Sequence, residues 1–427
     1  MRCTKTYLFV LLVTTSLLKA TPDEMAMNPT PSYPQSPTDC SFMQIWDVGM
    51  NMCMPYPREG MPMKMAMLSG SVYGGYIAQE GPRGHDAWVS TNMIMADIGM
   101  SLSDRHYLNV DLMMTAEKWT LPNSGYPLFL QIGEENAQAM PFIDAQHPHS
   151  SPLMGLTLSD TIRLGTDDAL KFFFAPRGET TDGPIAFMHR VTGMINPDAP
   201  LGHHIGQDVG HVTSTVIGGS LKWGSTRIEA STFHGGEPSP TRVDLPLGTP
   251  DSIAIRLIQE FTSDHRVMAS GAYINQPEPS APDITNEWRY SASTYDRFRL
   301  SETWTLHHTL IYGAVTHYDR ATWLNSLSEE FLFSASRSNL WGRLEVLQRT
   351  PEELEIPVAG DANSGRWVAA FTLGYTYYLA KLDGATLGLG ASITKDFLPD
   401  EFASSYGGNP WSGKLFLHLK GMRMWDL

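Results

Sequence analysis

Residues 385–393 read Ala-Thr-Leu-Gly-Leu-Gly-Ala-Ser-Ile, so apolar side chains alternate with small or polar ones. A period of two places alternate side chains on opposite faces of a β-strand, which predicts a strand with one apolar face. The same alternation occurs at 107–112 and 253–258. Because it begins near Met65 and recurs to the end of the chain, we predict an all-β structure.

The alternating segments predict about sixteen strands. Their predicted bounds are 65–78, 86–100, 105–117, 152–165, 169–177, 211–223, 226–235, 252–262, 266–275, 286–298, 301–317, 328–336, 340–349, 366–379, 384–395 and 411–422.

The connections between these strands alternate in length along the chain. Residues 101–104 and 224–225 are among the short connections, whereas 118–151 and 178–210 are long and rich in Pro or Gly. Short periplasmic turns alternating with long extracellular loops are typical of bacterial outer-membrane barrels. We therefore predict a transmembrane antiparallel β-barrel over 65–427, surrounded by outer-membrane lipid of a Gram-negative bacterium.

The N-terminus has the features of an export signal. Arg2 and Lys5 precede an apolar run at 7–18, which is too short to favour a stable transmembrane helix, although a retained anchor is the alternative. We predict a signal peptide over 1–20. Its removal takes away three positive charges, Arg2, Lys5 and Lys19, and changes the formal net charge from −15 to −18. This acidic balance argues against a nucleic-acid partner.

Residues 21–64 form a Pro- and Met-rich segment that we expect to lie in the periplasm. Eight methionines occur from Met43 to Met67. Thioethers are soft ligands that suit Cu(I), whereas alternate methionines can also form the apolar face of a first strand. Three methionines precede the strand pattern and are therefore the stronger candidates for metal ligands: Met50, Met52 and Met54.

Two cysteines remain after the predicted signal peptide, Cys40 and Cys53. In an oxidising compartment the simplest interpretation is a disulfide that closes a small loop. Their position among methionines leaves a metal-thiolate site as the alternative.

Two of the long loops are rich in histidine. In His147-Pro-His149 the proline favours an extended backbone that directs both rings roughly the same way. His203 and His204 point oppositely in an extended backbone, but neighbouring glycines permit a turn. Imidazole, carboxylate and thioether groups suit copper or zinc, whereas buried histidines can also simply bond to carboxylates and close a plug. The candidate metal ligands of these loops are His147, His149, Met188, His189, His203, His204, Asp208 and His211.

Charged side chains occupy the polar face of several predicted strands. Inside a barrel they would either form an ion-pair network in a plugged interior or line a path that selects solutes. The lumen-lining candidates are Arg227, Glu229, Arg256, Glu260, Arg343 and Glu345.

Three motifs carry a resemblance to a known family: 141–149 (Pro-Phe-Ile-Asp-Ala-Gln-His-Pro-His), 186–190 (Ala-Phe-Met-His-Arg) and 196–204 (Asn-Pro-Asp-Ala-Pro-Leu-Gly-His-His). The chain resembles a family of largely uncharacterised Gram-negative outer-membrane barrels that are often found with copper and heavy-metal tolerance genes. The resemblance implies a metal-linked role without defining a reaction. The family commonly has Asp after His-Pro-His and an aromatic residue after His-His, where this chain has Ser150 and Ile205.

We therefore expect an outer-membrane barrel that handles metal ions, copper or zinc, through its His- and Met-rich segments. A porin-like channel for small solutes, with structural histidines, is the alternative. A membrane-embedded hydrolase needs a nucleophile beside its base, and the sequence has no Gly-x-Ser-x-Gly motif, so we do not predict an enzyme.

Overall fold

A computed structural model describes most of the chain beyond the N-terminus. The described residues are 40, 44–55, 63–135, 140–239, 241–245, 247–278, 284–317 and 322–427. The predicted signal peptide and the Pro-rich residues that follow it lie outside the described residues.

The described residues form twenty-one strands and a few short helices. The strands are β1 (Gln44–Asp47), β2 (Met52–Pro55), β3 (Lys64–Gln79), β4 (Ala87–Val89), β5 (Asn92–Ser101), β6 (His106–Met114), β7 (Tyr126–Glu135), β8 (Pro141–Gln146), β9 (Leu153–Arg163), β10 (Ala169–Gly178), β11 (Thr213–Trp223), β12 (Thr226–His234), β13 (Ser252–Thr262), β14 (His265–Asn275), β15 (Asn286–Arg299), β16 (Thr305–His317), β17 (Thr322–Ala335), β18 (Ser338–Arg349), β19 (Arg366–Leu382), β20 (Ala385–Phe397) and β21 (Trp411–Asp426). The α-helices are α1 (Glu117–Thr120) and α2 (Asp400–Tyr406), and short helical turns cover His203–Gln207 and Val209–His211.

The strands close into an antiparallel barrel. Strand β21 pairs with β3 over most of their lengths, from Ser412 opposite Gln79 to Asp426 opposite Met65. Because β4 and β5 both pair with β3 and follow one another, they are two parts of one strand, and the barrel has sixteen strands. The predicted fold is confirmed. The largest error in a strand bound is at the predicted 328–336, which begins at Thr322.

The outer face of the barrel is apolar, as the alternation predicts. On β13 the outward Ile253 and Ile255 are 58% and 56% exposed, whereas Ala254 between them is 1% exposed. A closed barrel satisfies its backbone hydrogen bonds between strands, so such a face can lie in lipid. Among the described residues, none of the helices combines the length and apolarity needed to cross a membrane.

Four tryptophans fall near the ends of predicted strands, where such barrels carry aromatic girdles at the membrane interfaces, but Trp341 does not face the lipid. Trp119, Trp223 and Trp323 are 52%, 76% and 45% exposed, but Trp341 is 1% exposed. Its Nε1–H donates to Thr376 Oγ1 at 3.1 Å. The expectation for Trp341 is wrong because the preceding residue occupies the outward position, which turns the indole into the lumen.

The two histidine-rich loops do not remain outside the barrel as simple loops. Part of the first forms the β7–β8 hairpin. Residues 179–212, here called the plug segment, lie inside the barrel against its inner wall. The Thr181 hydroxyl donates to Ala254 O at 3.0 Å, and the Ser326 hydroxyl donates to Ile205 O at 2.8 Å. The plug segment therefore contacts widely separated strands of the wall.

A buried carboxylate anchors the plug segment. Both Arg190 and Glu330 are fully buried and form a bidentate pair at 2.8 and 2.9 Å. Glu330 also accepts hydrogen bonds from Thr192 Oγ1 at 2.7 Å and from Arg343 Nε at 3.0 Å. Because a buried charge is tolerated only when it is paired and hydrogen-bonded, these contacts fix the plug segment to β17 and β18.

The N-terminal hairpin β1–β2 also lies inside the barrel, against its inner wall. Cys40 and Cys53 are joined by a disulfide, so these sulfurs are not free thiolates. Cys53 packs with wall residues that include Tyr295, and Asp47 pairs with Arg266 at 2.7 Å. Arg266 follows the short β13–β14 turn, which places the hairpin at the short-turn end of the barrel.

Replacing Glu330 by Gln would leave Arg190 and Arg343 buried beside a neutral side chain. We expect this change to lower the free energy of unfolding by about 3–5 kcal/mol, measured by urea denaturation of the refolded barrel. The matched control is Asp383→Asn, which removes a carboxylate that is 88% exposed and pairs with Arg423. It should have little effect. Similar small losses in both variants would contradict the anchoring role.

Candidate functional site

Five histidines from distant parts of the chain meet inside the barrel. His147 and His149 follow β8, whereas the other three belong to the plug segment. The ring centroids lie 4.7 Å apart for His203 and His204, 5.1 Å for His203 and His211, 5.2 Å for His149 and His211, 5.7 Å for His147 and His204, and 6.0 Å for His147 and His149. These five residues are called the histidine cluster below.

A tight turn makes this convergence possible. Residues 203–207 form a helical turn that includes Gly206 at φ 68°. A Cβ on Gly206 would lie 2.7 Å from Tyr290 O and 2.8 Å from Ala314 N, so the left-handed backbone and the close approach to the wall both require glycine. The turn brings the adjacent rings of His203 and His204 together, as the neighbouring glycines suggested.

The donor atoms of the cluster fall into two overlapping groups. His147, His203 and His204 each offer a ring nitrogen within 4.8 Å of the others, and His203, Asp208 and His211 offer a second set at the same spacing. Imidazole with carboxylate is a ligand combination found in zinc and copper sites. A modest movement of these side chains is enough to place three or four donors around one ion.

Two ring nitrogens of the cluster face each other closely. Glu117 Oε2 lies 2.8 Å from His149 Nδ1 and also accepts from the His149 backbone N–H at 3.2 Å. His211 Nδ1 lies 2.6 Å from Asp208 O. With both Nδ1 atoms assigned as donors to oxygen, the Nε2 atoms of two neutral rings are both acceptors, yet they lie 3.0 Å apart. Such a pair needs a shared proton or a cation bound beside both nitrogens.

Burial keeps four of the cluster histidines uncharged: His147, His203, His204 and His211. It lowers the pKa of His203 and His204 well below the ordinary value, and neighbouring histidines lower it further. Burial, followed by the proximity of His149, lowers the pKa of His147 to about 4 and of His211 to about 3. Neutral imidazole is the form that binds metals, so these ligands are available without losing a proton near neutral pH.

Unused hydrogen-bonding capacity remains within the cluster. Among the residues that the structure describes, neither His203 Nδ1 nor His204 Nε2 has a hydrogen-bond partner, although both nitrogens are buried. The Asp208 carboxyl accepts from the Phe187 N–H at 2.9 Å, and burial raises the pKa of Asp208 well above its ordinary value. A nearby cation would favour its ionised form. Buried polar atoms without partners are costly, and a bound ion would satisfy them.

The remaining candidate ligands do not join this cluster. His189 and Met188 line a separate cavity on the side of the N-terminal hairpin. The three hairpin methionines Met50, Met52 and Met54 line the same cavity. The candidate metal ligands are thus divided between two places inside the barrel.

The lumen-lining candidates lie on the inner face and are largely paired. Glu229 pairs with Arg256 at 2.7 Å and with Arg227 at 3.7 Å, and Glu260 pairs with Arg266 at 2.7 Å. Three of the six also contact the plug segment: Arg256 donates to Gly183 O at 3.4 Å, Arg343 donates to Asp198 O at 3.1 Å and Glu345 accepts from the Leu201 N–H at 2.6 Å. These contacts favour the ion-pair network over an unpaired selectivity lining.

Glu117 is a site residue that sequence reasoning missed. It precedes His149 by 32 positions and lies on α1, a helix of four residues. No periodicity or motif connects the two positions, so only the folded arrangement identifies the pair.

Neither a family model nor a curated protein matches the chain. The solved structure of OmpF from Salmonella typhi in complex with daunomycin matches with a TM-score of 0.51 at 9% identity, covering 89% of this chain and 100% of that chain. The fold is that of outer-membrane porins.

Two further solved structures match less closely. A loop-deletion mutant of OmpT, an outer-membrane protein of Vibrio cholerae, matches with a TM-score of 0.48 at 8% identity, covering 84% of this chain and 99% of that chain. An anion-selective porin from Comamonas acidovorans matches with a TM-score of 0.47 at 9% identity, covering 85% and 99%. At these identities the likeness concerns the fold alone. With the sixteen-strand barrel and its apolar outer face, the chain is an outer-membrane protein of a Gram-negative bacterium.

Acidification should destabilise the protein through the cluster. The pKa values of His147, His203, His204 and His211 lie below the unfolded value of about 6.5, so the unfolded chain binds more protons below that pH. The free energy of unfolding is therefore highest above about pH 6.5 and decreases as the pH drops towards about 4. Each of these histidines lowers it by at most about 1.4 kcal/mol per pH unit. Urea denaturation at several pH values measures this slope.

The variant His211→Asn should reduce the slope, whereas His85→Asn, at an exposed loop histidine outside the cluster, should leave it unchanged. A free energy of unfolding that does not change between pH 7 and pH 4.5 would contradict the buried, neutral state of the cluster.

Proposed function

We propose that this outer-membrane barrel binds a transition-metal ion, copper or zinc, at the histidine cluster and so handles metal ions at the cell surface. The observation that carries the proposal is the pair of Nε2 atoms of His149 and His211, 3.0 Å apart with both Nδ1 atoms bonded to oxygen. A cation between or beside them converts an unfavourable contact into ligation. The role is binding rather than catalysis.

The hydrogen-bond partners of the candidate ligands His149 and His211 support this proposal. Metal-binding histidines commonly donate their second ring nitrogen to a carboxylate or a backbone carbonyl, which fixes the tautomer and the ring orientation. Here the Glu117 carboxylate is the hydrogen-bond partner of His149 Nδ1, and the Asp208 backbone carbonyl is the partner of His211 Nδ1. The resemblance to barrels found with copper tolerance genes favours copper, and the imidazole and carboxylate donors also suit zinc.

The cluster is accessible from one side. His147, His149, His203 and His211 line a pocket whose empty volume, including open solvent, is about 490 Å³, and the same pocket is lined by residues 237–239. Those residues belong to the long connection between β12 and β13, and long connections of such barrels face the exterior. An ion would therefore reach the cluster from outside the cell.

A porin-like channel for small solutes is the second candidate. Two observations favour it: the fold shared with OmpF and the charged inner face of the barrel. In this role the cluster histidines would be structural parts of the plug, and the solute would pass beside the plug segment.

Metal binding can be measured directly on the refolded barrel. Calorimetric titration with Cu(II) or Zn(II) should show one tight site, and the electron paramagnetic resonance spectrum of the Cu(II) complex should show coupling to nitrogen. The double variant His203→Ala/His204→Ala should lose this site. Glu117→Gln should weaken it about 10–100-fold, because only the orienting partner of His149 changes.

Lys118→Gln is the matched control, since Lys118 is the exposed neighbour of Glu117 on the same helix. Nitrogen coupling and affinity that are the same in all of these variants would overturn the proposal.

Conductance in a planar bilayer separates the two candidates. For a metal-binding protein with an anchored plug, we expect little conductance, or a conductance that responds to copper and loses the response in His203→Ala/His204→Ala. A steady conductance that is indifferent to copper would instead support the porin-like channel.

A further inference from the structure

We propose that a methionine-lined cavity on the short-turn side of the histidine cluster is a second metal site, selective for soft monovalent ions such as Cu(I) or Ag(I). Nine methionines line this one cavity, of the 23 in the chain. They are Met50, Met52 and Met54 of the β1–β2 hairpin, Met67, Met93, Met95 and Met422 of the barrel wall, and Met188 and Met194 of the plug segment. Such convergence from three separate parts of the fold exceeds what composition alone would give.

The wall methionines lie at adjacent levels of neighbouring strands. Met422 on β21 and Met95 on β5 both pair with Ser69 on β3, so the three residues share one level of the barrel and face the same side. Met67 lies two residues before Ser69 on the same face and pairs with Asp97. The inner wall therefore presents thioethers on three neighbouring strands, with Ser69 between Met422 and Met95.

Apolar filling is the ordinary role of a buried methionine, because its flexible side chain closes irregular gaps. Here the gap is not closed. The cavity has an empty volume of about 970 Å³, including open solvent, and polar residues share its lining: Asn51, Asp97, Asp111, His189 and Lys420. A purely apolar core would have no use for carboxylates at the same surface, whereas a cation site would.

The donor set determines which ion fits. Thioethers are soft, uncharged ligands that favour Cu(I) and the chemically similar Ag(I) over Zn(II) or Cu(II). Asp97 and Asp111, which both accept hydrogen bonds from Asn109 Nδ2, add carboxyl oxygens to the same lining. His189 adds one nitrogen donor to the same cavity.

The cavity adjoins the histidine cluster through one intervening cavity that shares lining residues with both. Met93, Met188 and Met194 also line a neighbouring cavity, which includes His149 and Met154. Both His149 and Met154 line in turn the pocket of the histidine cluster. Sulfur donors thus extend from the short-turn end of the barrel to the imidazoles.

The inference that ions pass from the histidine cluster to this cavity rests on the proposed function. The binding of an ion by the thioethers of the cavity can be tested independently. Imidazole also suits copper, so only an ion that arrives as Cu(I) can pass between the two sites without a change in oxidation state.

The experiment uses the full-length barrel refolded in detergent and silver nitrate as the probe. X-ray absorption should show silver–sulfur ligation, and equilibrium dialysis with metal analysis should give the affinity. The triple variant Met67→Leu/Met95→Leu/Met422→Leu keeps the side-chain volumes nearly constant and should weaken silver binding at least tenfold. The control triple variant Met63→Leu/Met65→Leu/Met268→Leu changes three buried methionines that do not line the cavity and should bind silver normally.

A second variant, Met50→Leu/Met52→Leu/Met54→Leu, alters only the hairpin and leaves the barrel strands intact, so it gives an independent result if the wall variant folds poorly. Absence of sulfur ligation in the unaltered protein, or unchanged silver affinity in both cavity variants, would overturn the inference. The variant His203→Ala/His204→Ala should lose Cu(II) binding and retain silver–sulfur ligation. The two proposals can therefore fail separately.

Discussion

The buried carboxylate of Glu330 is the contact on which the interior of this barrel depends. It accepts from Arg190 and Thr192 of the plug segment and from Arg343 of the wall, all without access to water. Two guanidinium groups and one carboxylate can be buried together only if their geometry is fixed. This requirement holds residues 179–212 in one position, and that position determines where the plug histidines lie.

The histidine cluster follows from this arrangement at an energetic cost. Burial keeps His147, His203, His204 and His211 neutral. Among the described residues, His203 Nδ1 and His204 Nε2 have no hydrogen-bond partner, and the Nε2 atoms of His149 and His211 face each other. Side-chain packing alone would be better served by apolar residues at these positions, since unsatisfied buried polar groups destabilise a fold. Groups of this kind are retained where a ligand supplies the missing interaction, which is why the cluster is a better candidate site than the paired charges of the wall.

The sequence predicted the barrel well and its interior only in part. Alternation and loop lengths predict the sixteen strands because a wall between lipid and lumen imposes a strict period of two. The same rule misplaced Trp341, since one position of difference decides whether a side chain faces lipid or lumen. The convergence of five cluster histidines could be expected from the two loops, but the separation of His189 and the role of Glu117 could not. Both depend on the path of the plug segment through the barrel, which no local pattern encodes.

The positions of the inner-wall methionines also could not be predicted from the local sequence. Met93 and Met95 fit an apolar strand pattern, and nothing in their own segment distinguishes a lipid-facing methionine from one that faces the lumen. Only the register with Ser69 and the adjacent plug places them around a shared space. The resulting order of donors, from imidazole nitrogen at the exterior side to thioether sulfur at the short-turn side, is an order of increasing softness. Since softer donors hold monovalent copper more strongly than water or oxygen ligands do, such an order would favour inward movement of a Cu(I) ion along the proposed path.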